Sequence, residues 1–282
     1  MVRLIGFLFR PCCRGLACAK WALPIFLTLF FIHGCSDPFD YSPFEVDVPR
    51  EARGQTDKNL GRLLNTDKAR DTTATVRIGL LADAHYHFQD IKELVNQLNG
   101  ESVDFVIVLG DIVDQGLVSE FEILEDVLND LKMPYLTVIG NHEYLANGED
   151  IYDQLYGSRN YSFSYAGYHF IAWDDVYWEK NGTPDWDWLE SRLKQTDRGT
   201  PILLAHIPPW GDQFPEADEA RYVALTEQYG VQASLHGHKH QFGIENYNND
   251  ILYATVPAVD KLSYGILTLE NGQVRLEQRF KR

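Results

Sequence analysis

The sequence predicts a layered α/β domain, and three features carry that prediction. Short apolar runs alternate with amphipathic stretches between Val76 and Asn141. Each run is bounded by charge or by a turn signal, as strands buried on both faces of a sheet require. A chain of 282 residues, 45% of them apolar, can bury one large core or two modest ones.

VRIGLLAD, Val76 to Asp83, reads as the first strand, and FQDIKELVNQLN, Phe88 to Asn99, follows with helical spacing. DFVIVLGD (Asp104 to Asp111) is a second strand, VSEFEILEDVLNDLK (Val118 to Lys132) a second amphipathic helix, and YLTVIGN (Tyr135 to Asn141) a third strand. That alternation implies βαβ units and a mostly parallel sheet. NYSFSYAGYHFIAWDD, Asn160 to Asp175, predicts a hairpin turning at Ala166-Gly167. PILLAHIPPW (Pro201 to Trp210) and QASLHG (Gln232 to Gly237) predict further short strands, and the tail from Tyr264 to Phe280 carries an Asn271-Gly272 hairpin turn.

Upstream of the domain the composition changes. Arg3, Arg10, Arg14 and Lys20 stand with no acid ahead of the apolar run Trp21 to Ile32. The run is about 12 residues against the ~20 of a spanning helix, so it reads as the apolar part of a signal peptide. All four cysteines, Cys12, Cys13, Cys18 and Cys35, lie in this region, which excludes a disulfide inside the domain. IHGCSD resembles the lipobox of bacterial lipoproteins, which implies lipidation of Cys35 and anchorage to a membrane of the bacterial cell envelope, on the periplasmic or surface side. The expected organisation is therefore a leader over 1–34, a polar tether over 35–73 and a catalytic domain over 74–282. Pro38, Pro43 and Pro49 punctuate the tether, and NLGRLLN, Asn59 to Asn65, predicts a short helix on the domain surface.

Charge narrows the partner. Lys and Arg total 25 against 41 acids, a formal charge of −16, and removing the leader would take it to −20. A chain so acidic is a poor match for a nucleic-acid polymer, which asks for a basic surface. A local cationic site for one small anion is compatible with it.

The chemistry stands at the carboxyl ends of the strands, the edge where α/β sheets bind ligands. There the sequence places Asp83-Ala84-His85, Gly110-Asp111 followed by Asp114 and Gly116, Gly140-Asn141-His142-Glu143, Ala205-His206, and Gly237-His238-Lys239-His240. Any one of these is commonplace. Five in this order, each just after an apolar run, resemble the calcineurin-like metallophosphoesterase superfamily, over roughly Ile78 to His240.

That resemblance implies a β-sandwich flanked by helices, with a dinuclear metal site at the strand ends, in place of one open sheet. Asp, Asn and His donors without cysteine suit divalent Mn, Fe or Zn. Two such ions ~3.5 to 4 Å apart can neutralise phosphate oxygens and turn a bridging water into hydroxide for in-line attack. Carried over by position, Asp83, His85 and His240 would hold one ion and Asn141, His206 and His238 the other, with Asp111 bridging. His142 resembles the family's non-ligand histidine that assists the leaving group, and Asp114 one that orients a ligand histidine. His236 is left over as a packing or pocket-edge residue, and Trp210 and Tyr144 are candidates for substrate contact.

Departures from subfamily patterns narrow the reading. Purple acid phosphatases place a tyrosine ligand where this chain has Asp114, and the pyrophosphatases of lipid A synthesis have arginine where it has His142. The expected function is hydrolysis of a phosphomonoester or phosphodiester. The alternative is a non-catalytic binding or scaffolding lipoprotein on the same fold, which would be expected to lose His142 or several ligands; this chain retains them all.

Overall fold

Strands β1 (Val76–Leu81), β2 (Phe105–Leu109) and β3 (Tyr135–Val138) are the three apolar runs of the first half, and every residue in them except Arg77 is buried. They pair in parallel. β10 (Ser263–Glu270) joins β1 antiparallel and β11 (Gln273–Phe280) joins β10, through the expected turn with positive φ at Asn271 and Gly272. The order of this sheet is β11-β10-β1-β2-β3. Helices α2 (Phe88–Leu98), α3 (Val118–Leu128) and α4 (Gly148–Leu155) cover its outer face, where Ile91, Leu94, Phe121 and Ile151 pack on Val106 and Val108.

A second sheet holds β4 (Tyr161–Tyr165), β5 (Tyr168–Ala172), β6 (Thr200–Leu204), β7 (Ala233–His236), β8 (Gly243–Glu245) and β9 (Leu252–Thr255), in the order β4-β5-β6-β7-β9-β8. Its outer face is covered by α5 (Trp186–Leu193) and α6 (Glu216–Gln228). Ile78, Leu80, Ile107 and Leu109 of the first sheet meet Phe170, Ala172, Ile202 and Leu204 of the second in a common inner core. Phe105 anchors it, edge-on to Phe163, Tyr165 and Phe170. This computed structural model describes residues 42, 45–211 and 213–282, and in them the fold is the helix-flanked sandwich that the family resemblance implies. The predicted leader and lipidated Cys35 lie outside the described residues.

The expected tether differs from the structure in its second half. From Glu45 on, the described residues belong to one compact unit, and α1 (Gln55–Leu64) starts four residues before the helix expected from Asn59. Leu63 is buried in the inner core, and Asn59 Oδ1 accepts a hydrogen bond from Tyr135 N on β3. β3 is the edge of its sheet, and α1 covers an edge that would otherwise expose unpaired backbone groups. A helix that satisfies an edge with amides and buries few side chains reads as polar linker in sequence. The packed domain therefore begins ahead of residue 74.

Further pieces were not foreseen: α4, the short strands β8 and β9, and α6, which buries only Tyr222, Leu225 and Thr226 among its 13 residues. Among the described residues no helix is long and apolar enough to cross a membrane.

Candidate metal centre

Because β1, β2 and β3 run parallel in one sheet and β6 and β7 in the other, their carboxyl ends meet at one edge of the sandwich. Asp83 and His85 follow β1, Asp111 follows β2, Asn141 and His142 follow β3, His206 follows β6, and His238 and His240 follow β7. The backbone there is bent hard. Asp83, His85, Asp111, His238 and His240 all have φ between 46° and 67°, a left-handed conformation that costs a residue with a Cβ on the order of 1–3 kcal/mol. The surrounding hydrogen bonds hold them in it.

Those bonds come largely from carboxylates gripping backbone N–H groups. Asp83 accepts from His238 N at 2.9 and 3.1 Å, tying the end of β1 to the end of β7 across the two sheets. Asp111 Oδ1 accepts from His142 N at 2.9 Å. Glu143, fully buried, accepts from the N–H groups of Gly140, Asp111, Ile112 and Val113 at 2.6 to 3.1 Å. Asp175, also fully buried, accepts from His206 N and Ile207 N. Gly110 has φ 79°, and a Cβ on it would lie 2.4 Å from His206 Nδ1. Only glycine lets that ring come so close.

The side chains so placed form two overlapping donor sets that share Asp111, beside a third in which His85, Asp114 and His142 approach one another. Asp83, His85, Asp111 and His240 offer atoms within 4.8 Å of one another, as do Asp111, His206 and His238. Asp111 Oδ2 is common ground, 3.1 Å from His206 Nε2 and 3.8 Å from His85 Nε2. His240 Nε2 is 3.4 Å from His85 Nε2 and 3.6 Å from Asp83 Oδ1. Asn141 Oδ1 faces His238 Nδ1 at 3.1 Å. The structure thus brings together all seven residues that the sequence proposed as ligands.

Ring orientations are set by outer contacts. His206 Nδ1 donates to Leu109 O at 2.7 Å, leaving its buried Nε2 without a well-formed hydrogen bond and turned to Asp111. His142 Nδ1 donates to Asp114 O at 2.7 Å, which puts Nε2 4.0 Å from Asp111 Oδ2. The Asp114 carboxylate stands 3.6 Å from His85 Nδ1.

Electrostatics favour a cation. Burial pushes Asp83 well above the carboxylate range, against the pull of His206. Burial acts the same way on Asp111, but His206 and His142 reverse it and hold Asp111 below the usual range. For His206, burial opposes the charge but Asp111 and Asp83 overcome it and lift the ring to about 10. Burial lowers His85 to about 4, so that ring is a neutral donor at pH 7. Dry carboxylates, a neutral His85 ring with a lone pair to give, and a His206 ring that carries a proton because two acids crowd it are the composition of a divalent-metal site, where a cation would take the place of that proton. The residues fit the two ions.

Other histidines and aromatic residues are held by contacts of their own. His236 is buried, bonded through Nε2 to Ser234 Oγ at 2.7 Å and edge-on to Trp210. It packs. His87 pairs with Asp90 and stacks on Tyr86, and His169 is buried within β5. Trp186 packs on Trp173 under Arg221, and Trp188 lies against Arg192. Trp210 packs on His236 and Tyr253; the Tyr144 hydroxyl bonds Asp174 and Arg159. Sequence reasoning missed Glu143 and Asp175 as clasps, although both follow strand-end motifs as the last acid of GNHE and of WDD. It also missed Glu179, whose Oε1 accepts from Asn141 Nδ2 at 3.1 Å.

A family profile described as calcineurin-like phosphoesterase matches residues 76–242. A 3',5'-cyclic-nucleotide phosphodiesterase of Nostoc sp. is 28% identical over 166 residues, 55% of this chain and 62% of the relative. A glycerophosphodiester phosphodiesterase of Enterobacter lignolyticus is 29% identical over 213 residues, 63% of this chain and 75% of the relative. Among solved structures, a dimetal phosphatase from Danio rerio superposes with a TM-score of 0.59 over 73% of this chain and 96% of that one, at 15% identity, which shows a shared fold.

Proposed function

The chain belongs to the calcineurin-like phosphoesterase family and is a hydrolase of phosphoester bonds; from that premise we propose that its substrate is a small phosphodiester. The observation that carries the proposal is the pair of donor sets sharing Asp111, with His142 Nε2 facing the shared carboxylate. The two relatives named as phosphodiesterases support the ester class.

Asp83, His85, Asp111 and His240 would hold one ion, and Asp111, Asn141, His206 and His238 the other. Two divalent ions there supply charge neutralisation for phosphate oxygens and a water acidic enough to attack at neutral pH. The protein's own work is orientation and proton handling. The clasps Glu143 and Asp175 fix the ligand loops by their backbone, and the Leu109 carbonyl fixes the His206 tautomer. His142, only partly buried and held by the Asp114 carbonyl, presents Nε2 to the site, where its protonated form gives a proton to the departing oxygen. We assign the protein to the bacterial cell envelope on the leader and Cys35 alone. Intact-mass analysis of membrane fractions tests that assignment, and a mature chain still containing Trp21 would refute it.

The function is tested by assaying the metal-reconstituted protein against bis(nitrophenyl) phosphate, nitrophenyl phosphate, a 3',5'-cyclic nucleotide and a glycerophosphodiester. The proposal expects turnover of diesters to exceed that of the monoester. Preference for the monoester would overturn it.

A further inference from the structure

Glu179 sits in the stretch between β5 and α5. While its Oε1 takes the Asn141 Nδ2 hydrogen bond, its Oε2 is buried and makes no hydrogen bond among the described residues. The loop is pinned in place. The next residue, Lys180, pairs with the buried Asp174 at 2.6 Å, and the same Asp174 oxygen accepts the hydroxyl of Tyr144, three residues past Asn141. Glu179 is thus carried on a scaffold fastened to the segment that bears Asn141.

An asparagine amide has a right end and a wrong end for a cation. Its oxygen has lone pairs to give, and its NH₂ has none. A half-turn of the amide exchanges the two at little steric cost. With a carboxylate behind it, the exchange would set a carbonyl oxygen against a carboxylate oxygen with no proton between them, and would forfeit a charge-assisted bond. A neutral amide also brings no charge to a dication, and a half-buried carboxylate with one oxygen unbonded is a charge that still wants a positive neighbour.

We infer that Glu179 is a positioning residue for the second ion: it holds the Asn141 amide with Oδ1 turned toward His238 and supplies the negative charge that the amide lacks. The inference rests on the proposed role of Asn141 as a ligand. Orientation and charge separate by substitution. Glu179→Gln keeps the size and an acceptor but loses the charge and tolerates either end of the amide. Glu179→Ala loses both functions. In an Asn141→Asp background the logic inverts, because a carboxylate has no wrong end and lies against the charge of Glu179.

The test is calorimetric titration of the chelator-stripped protein with Mn²⁺, resolving the two binding steps, the second of which is expected at the Asn141 half because Asp111 is its one carboxylate ligand against two, Asp83 and Asp111, in the other. Glu179→Gln is expected to weaken the second step about tenfold and Glu179→Ala about 10- to 100-fold, in the range of outer-contact effects on metal affinity, with the first step unchanged. In the Asn141→Asp background, Glu179→Ala is expected to strengthen the second step. A residue that merely braces the loop would not reverse sign. Equal weakening of both steps, weakening in both backgrounds, or a wild-type second step in Glu179→Gln would overturn the inference; should Glu179→Ala not fold, Glu179→Gln decides. If Asn141→Ala still binds two ions as wild type does, the ligand reading of Asn141 fails and takes this inference with it. If Asn141→Ala loses the second step while both Glu179 variants keep it, the inference alone fails.

Discussion

The two halves of the candidate centre share Asp111 but differ in charge and in shelter. One half, Asp83, His85 and His240, brings a second carboxylate, and its His240 ring is 46% exposed. The other, Asn141, His206 and His238, has a neutral amide in that place, with the Glu179 carboxylate one hydrogen bond further out, but its His206 is wholly buried and locked to the Leu109 carbonyl. Charge and preorganisation therefore compete. A pair of unit charges ~4 Å apart is worth about 4 kcal/mol at an effective dielectric of 20, whereas an outer contact that orients a ligand is worth about 10- to 100-fold in affinity, or roughly 1.4 to 2.8 kcal/mol. Charge wins. The open, anionic half should fill first and the sheltered half second.

Removing charge should break that order most severely. Asp83→Ala takes away the extra carboxylate and the grip on His238 N together, so the first binding step is expected to weaken well over 100-fold. Asn141→Ala should weaken only the second. Stepwise metal titration reads both, and a first step that survives Asp83→Ala would reverse the comparison.

Next in size is His142, whose Nε2 lies 4.0 Å from the shared carboxylate and which is not among the seven proposed ligands. His142→Asn should leave metal content near wild type. Turnover should fall about 10²- to 10⁴-fold on an alkyl or nucleoside ester, and much less on a nitrophenyl ester, whose leaving group departs without a proton. A uniform loss would reassign His142 to phosphate binding, and a lost ion would make it a ligand.

The clasps sharpen the comparison from the backbone side. Among the described residues Asp175 holds only the His206 loop, so Asp175→Asn is expected to cost the second step about tenfold and spare the first. Loss of both steps together would show that the halves are not independent. The smallest effect on the centre is expected far from it. Leu63→Ala should destabilise the fold by about 2–5 kcal/mol in denaturant unfolding while leaving both metal steps intact; a wild-type midpoint would mean that α1 does not belong to the core.

Legibility followed the same division. The side chains that converge on the candidate centre were readable because each stands directly after an apolar run, so strand prediction also located where they meet. The sandwich was not readable from the runs alone, since a strand buried on both faces looks alike in an open sheet and in two packed ones; the motif order supplied the second sheet. Residues acting through the backbone left weaker traces. Glu143 and Asp175 sit in strand-end motifs, yet nothing in an acid's identity announces that it will accept from up to four N–H groups. Glu179 left none, because its partner Asn141 is 38 residues away and only the fold brings them together. α1 was underread for a different reason. It stabilises by covering a sheet edge with polar groups, which apolar periodicity does not detect.

Asp111 is the residue common to both halves, and the dinuclear centre stands or falls with it. Elemental analysis of the reconstituted protein beside an Asp111→Asn variant tests this most directly. Two ions per chain are expected in the wild type, and less than one in the variant. One ion in the wild type, or two held by the variant as tightly as by the wild type, would contradict Asp111 as the shared residue.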